Sequence, residues 1–141
     1  MPSAALILVA ALALAVAAPR AVAEHTIDSR FVVLGFVKDG AGKLLRGHAV
    51  DVVRDKTGLM YHATTDAEGF FVVVMRLGNE SAGETVTVRV GAATTTVTAR
   101  FDPANHTDAR GTRVDLEGTS FVERTSAFRP TLGRFLGNET R

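Results

Sequence analysis

Three turn signals cut the stretch from Leu34 to Met75 into four short runs, and this limits the fold more than any other feature of the chain. The signals are Asp39-Gly40-Ala41-Gly42, Lys56-Thr57-Gly58 and Asp66-Ala67-Glu68-Gly69. Asp and Gly accept the backbone conformations that a tight reversal needs. Phe31 to Val37 is apolar on both faces, as expected for a strand inside a sandwich. Gly35 within it predicts a bulge or a close backbone approach. In His48 to Val53, Val50 and Val52 share one face while Asp51 and Val53 share the other. In Leu59 to Thr65, Leu59, Tyr61 and Ala63 alternate with Met60, His62 and Thr64. Phe70 to Met75 is strongly apolar and is expected to be the central core strand.

Two alternating runs follow, with the period of two that marks half-buried strands. In Glu84 to Val90, the residues Val86, Val88 and Val90 face inward; in Ala93 to Phe101, so do Thr95, Val97, Ala99 and Phe101. Gly111 to Glu117 is the last run, with Val114 and Leu116 inward. Seven short strands at this spacing predict an all-β, antiparallel β-sandwich.

The two ends differ from this pattern. Ala4 to Ala18 is an unbroken apolar run closed by Pro19 and Arg20, and Ala21-Val22-Ala23 offers a signal-peptidase site. The expected organisation is a signal peptide over 1–23, a β-sandwich domain over 24–117 and a tail over 118–141. The apolar run falls short of the roughly 20 residues that span a bilayer, so cleavage before Glu24 is favoured over an uncleaved anchor. The expected destination is secreted or periplasmic. The tail holds Phe121, Phe128 and Phe135 among several arginines, and Pro130 and Gly133 are expected to break a long helix. Two readings of it stand: a segment that is disordered or lies over the sandwich, or a partner-binding peptide anchored by those three phenylalanines.

Loss of Arg20 with the leader leaves equal numbers of acidic and basic side chains. Such neutrality argues against a nucleic-acid partner. There is no cysteine, which excludes thiol catalysis, thiolate metal sites and disulfides. No glycine-rich phosphate loop opens a helix, and no G-x-S-x-G is present, so neither a cofactor nor a catalytic residue is expected. Asp51, Asp55, Asp66 and Glu68 lie in or beside turns and are read as turn caps.

Of the four histidines, His48 and His62 lie on neighbouring strands and are the candidate metal ligands, for copper or zinc with a third donor. His25 would be second in the cleaved chain, where a terminal amine and an imidazole can chelate copper. The three asparagines, Asn79, Asn105 and Asn138, all stand in N-x-S/T sequons and are candidate glycosylation sites.

Val33 to Val90 resembles carboxypeptidase regulatory-like domains of the transthyretin-like (prealbumin-like) group. The residues that carry the likeness are Gly35-Phe36-Val37, Asp39 to Gly42, Leu44 to Gly47, Thr64-Thr65-Asp66-Ala67-Glu68-Gly69-Phe70-Phe71 and Gly83 to Val88. The resemblance implies a transthyretin-like or Ig-like sandwich and a non-catalytic accessory or binding module. Enzymes on that fold carry a Tyr/His iron site or a C-terminal Tyr-Arg-Gly-Ser; here Tyr61 is the single tyrosine and that tetrapeptide is missing. The expected function is therefore an exported, non-enzymatic module that contacts a protein or an envelope polymer. The alternatives are a small-molecule carrier of transthyretin type and a periplasmic metal-binding protein.

Overall fold

The computed structural model describes residues 27–139; the leader, the cleavage site and His25 lie outside them. Eight strands form two four-stranded sheets. They are β1 (Arg30–Lys38), β2 (Ala49–Arg54), β3 (Met60–Thr64), β4 (Phe70–Arg76), β5 (Thr85–Val90), β6 (Ala93–Thr98), β7 (Gly111–Glu117) and β8 (Ser120–Glu123). One sheet runs β4-β1-β7-β8 and the other β3-β2-β5-β6. The described residues thus form an all-β sandwich with one α-helix, α1 (Phe128–Glu139). No helix among the described residues is long and apolar enough to cross a membrane.

The core between the sheets is built from the alternation in the sequence. Val50, Val52, Val86, Val88, Val97 and Val114 are all buried in it, together with Phe31, Phe71 and Met75. Strand β1 is apolar on both faces because both faces are covered. Phe31, Val33 and Val37 enter this core, while Val32 and Leu34 are buried on the far side with Phe70 and Phe128.

Strand β1 pairs antiparallel with β4 and parallel with β7. The parallel ladder is interrupted between the pairs Leu34↔Arg113 and Val37↔Leu116. Gly35 sits in that gap, where a Cβ would lie 1.8 Å from the Val114 carbonyl oxygen. The close approach expected from the sequence is therefore present. It lets Asp115 Oδ1 accept the Phe36 N–H at 3.0 Å, so a side chain replaces a main-chain acceptor.

The structure departs from the sequence-based expectation in five places. The sandwich is not wholly antiparallel, since β1 and β7 run parallel. Among the described residues there are eight strands rather than seven, because Ser120–Glu123 pairs with β7. Strand β4 is an edge strand and β1 is central, since both are apolar but only β1 has a partner on each side. The boundary expected after Glu117 falls inside the β7–β8 hairpin. Pro130 and Gly133 do not break the helix. Pro130 is its third residue, in the first turn, where an N–H has no intrahelical acceptor to lose.

Candidate binding face

The two sheets differ in what covers their outer faces. On the first, α1 packs Phe128, Leu132 and Phe135 against Val32, Leu34, Phe36, Phe70 and Val72. Gly111 leaves room for this, since a Cβ there would lie 2.4 Å from Phe128 Cζ. Beyond the apolar contact the face is polar. Asp115 is fully buried and is bound by Arg113 Nη2 at 3.0 Å and Arg124 Nη1 at 2.6 Å. Arg124 also reaches Glu117 at 2.7 Å, and these two carboxylates, Glu117 first, hold its guanidinium more firmly protonated than usual. Arg113 donates onward to Thr131 on α1.

Among the described residues, no helix covers the outer face of the second sheet. Register aligns its side chains in rows. His62, Asp51, Arg89 and Thr94 form one row across β3, β2, β5 and β6. Met60, Val53, Thr87 and Thr96 form the next, and Thr85 and Thr98 stand opposite each other beyond it. Within the first row His62 Nδ1 meets Asp51 Oδ1 at 2.7 Å. Arg89 has no side-chain partner among the described residues, although it lies opposite Asp51. Asp55 accepts the hydroxyls of both Thr85 and Thr87 at 2.7 Å, which fixes those two side chains. Met60 is 54% exposed, as is Leu59 before it. The face thus joins an apolar spot, a row of hydroxyls and an unpaired guanidinium. Below it, Arg54 ties the end of β2 to the start of β5 through a bidentate pair with Glu84, both bonds 2.8 Å. That guanidinium pulls the Glu84 carboxyl down to about 2.

The other predicted site residues fall as follows. The register sets Asp51, not His48, opposite His62; His48 lies three residues further along, bonded to Thr65. The expected juxtaposition of the two histidines is thereby corrected. The physical reason is the five-residue connection between β2 and β3, which shifts the pairing frame. No group of three or more His, Cys, Asp or Glu able to hold a metal ion occurs among the described residues. Tyr61 turns toward the core and its hydroxyl accepts the Arg76 N–H at 3.1 Å. The reading of Asp66 as a turn cap matches its bonds to the Glu68 and Phe70 N–H groups.

Phe128 is buried, and Phe121 and Phe135 are half-buried against the two apolar clusters. The three expected partner anchors are therefore packed on their own sandwich, because β8 and α1 carry them back onto it. Asn79 Oδ1 accepts from the buried Arg110, and Asn105 Oδ1 closes its own turn with Thr107. The Asn138 side chain lies outside what is described.

Sequence reasoning missed the Arg113–Asp115–Arg124 cluster and the row through Asp51. Alternating Arg113, Asp115 and Glu117 in β7 was the available signal for the first. Counting the β2–β3 connection would have found the second.

No family model matches the chain, and no curated protein matches it. Among solved structures it is similar to the dioxygenase domain of a dioxygenase carbohydrate-binding protein fusion from the cellulolytic bacterium Streptomyces sp. SirexAA-E. That match has 21% identity and a TM-score of 0.38, over 70% of this chain and 78% of that one. It is also similar to chlorocatechol 1,2-dioxygenase from Pseudomonas putida, at 16% identity and TM-score 0.43, over 69% of this chain and 61% of that one. A catechol 1,2-dioxygenase from Acinetobacter sp. ADP1 matches at 15% identity and TM-score 0.41, over 62% and 44%. The expectation that the chain is not an enzyme is corrected by these matches, since the matched chains are themselves dioxygenases or dioxygenase domains. Absence of catalysis is withdrawn as a property of this chain. At this level of likeness the reactions belong to those proteins alone.

Proposed function

We propose that this chain is an exported binding module that recognises a protein through the outer face of the β3-β2-β5-β6 sheet. The observation that carries this reading is the contrast between a face largely covered by α1 and a face that no described helix covers, with Met60, Arg89 and Thr96 presented on it. An apolar spot beside an unpaired Arg and fixed hydroxyls is the composition of a protein-recognition surface. A sugar polymer would call for aromatic platforms, and the one tyrosine of this sheet faces inward. The likeness to carboxypeptidase regulatory-like domains supports the same reading. Its Thr-x-Asp-x-x-Gly-x-Phe step forms the β3–β4 turn, where Asp66 caps two N–H groups.

The test is capture from extracellular or envelope material, followed by direct binding to the purified partner. Thr96→Lys and Arg89→Glu on the open face are compared with Leu136→Lys on the exposed side of α1. The proposal requires a partner that binds the unaltered chain and the Leu136 variant and is lost by both face variants. Equal binding by all three would sink it.

A further inference from the structure

We infer that the groove between the β3–β4 turn and α1 binds a zwitterionic, dipeptide-sized ligand with an apolar side chain. This site is on the other sheet from the proposed face and does not depend on it. The groove has a volume of about 360 Å³. Its floor is Phe36, Phe70 and Phe135, with Phe70 centred between the other rings at 5.2 and 5.3 Å. Asp66 and Glu68 line it from the turn, and Arg134 lines it from the helix.

The charges on the two walls are of opposite sign and are not spent on each other. Asp66 Oδ1 is committed to the turn's own N–H groups. The Glu68 carboxylate and the Arg134 guanidinium have no side-chain partner among the described residues. Thr131, on the helix wall, donates to the Ala127 carbonyl and accepts from Arg113, so its hydroxyl is already used. Arg134 is therefore the group on that wall that can take a carboxylate, and Glu68 the group on the turn that can take an ammonium.

A neutral apolar ligand would cover the rings and leave both charges idle. A simple cation would meet Arg134, and a simple anion would meet two carboxylates. A molecule with an amine at one end and a carboxylate at the other satisfies both walls through charge-assisted hydrogen bonds while its side chain covers the phenylalanines. The volume lies at the lower end of the range for small-ligand sites, which sets the size at about that of a dipeptide.

Three probes share one aromatic body and differ only in charge: Gly-Phe, Gly-Phe amide and N-acetyl-Gly-Phe. Each is titrated at neutral pH into the isotope-labelled chain, reading the backbone amides of Glu68, Phe70 and Arg134. Gly-Phe should bind roughly 10-fold more tightly than either singly charged probe, the ratio expected when one charge pair is lost. Glu68→Gln should abolish its advantage over the acetylated probe, and Arg134→Gln its advantage over the amide. Both side chains are exposed, so the fold survives either change. Equal binding of the three probes, preferences unchanged in the variants, or no saturable shift up to the solubility limit would each overturn the inference.

Discussion

The two outer faces of this sandwich are made from the same kind of strand and meet opposite fates. On the β4-β1-β7-β8 sheet the outward residues include Val32, Leu34 and Phe70, which α1 returns to bury, while Phe36 is half-buried and Val74 stays exposed. On the β3-β2-β5-β6 sheet the outward residues are Thr, Asp, His and Arg with one apolar spot, and no helix among the described residues covers them. Outward polarity thus decides which face the protein keeps for itself. An apolar face exposed on this scale would be a liability, so it is closed within the chain. A hydroxyl-rich face is tolerated by water and stays available.

If that contrast is right, the covered face should be the sensitive one. Removing everything after Glu117 takes away β8 and α1, exposes Leu34 and Phe70, and strips Arg124 from the buried Asp115. The expected outcome is loss of cooperative unfolding. A milder form is Phe128→Ala, which should cost about 3–5 kcal/mol in chemical denaturation. A nearly unchanged midpoint in either variant would show that α1 is a loosely held tail, and would revive the reading of Phe121, Phe128 and Phe135 as anchors for a partner.

Asp115→Asn probes the polar half of the same face. The amide oxygen can still accept the Phe36 N–H, but Arg113 and Arg124 are left facing a neutral group in a buried site. Removing one member of a buried ionic cluster is expensive, and about 3 kcal/mol of destabilisation is expected. A loss under about 1 kcal/mol would mean that water reaches the cluster and the face is not sealed there.

How much of this contrast was legible follows from the range of each interaction. The inward positions of β2, β5, β6 and β7 were readable because alternation is local: each strand carries its own pattern. The double-sided apolarity of Phe31 to Val37 was readable as well. What covered its second side was not, because α1 lies about a hundred residues downstream and Pro130 disguises its start. Asp115 looked like one more outward residue of β7. Its burial depends on Gly35, on Arg113 beside it and on Arg124 beyond the next turn, a convergence that no window of sequence contains. The Asp51–His62 pair was within reach, since it depends only on the length of one connection.

A smaller effect is expected where the open sheet meets its rim. Arg54 holds the Glu84 carboxyl at about 2 in the folded chain, against 4.5 for a free one. A carboxyl with a lowered folded value stabilises the protein fully above its unfolded value and loses that contribution as the pH falls through the folded one. The stabilisation should therefore be present above about 4.5 and fade as the pH approaches 2. Glu84→Gln should lower the melting temperature at neutral pH and match the unaltered chain at the acid end of that window. A melting-temperature difference that stays constant across the window would show that packing, rather than the ion pair, joins β2 to β5.

The smallest effect on stability, and the sharpest test of the contrast, belongs to Thr96→Lys. Thr96 is exposed on edge strand β6 and has no hydrogen bond to another side chain among the described residues. Its replacement should change stability by no more than about 0.5 kcal/mol. On a face with no function it would be silent in every assay. On a face kept open for recognition it places a long cation in the row of Met60, Val53 and Thr87 and next to the unpaired Arg89, so it should remove binding while leaving the unfolding curve in place. That separation, binding lost with stability kept, is what the covered face cannot give: Phe128→Ala and Asp115→Asn change the fold before they change any surface. A Thr96→Lys variant that unfolded like Phe128→Ala would show that the open face is structural, and the asymmetry between the sheets would have to be explained without a partner.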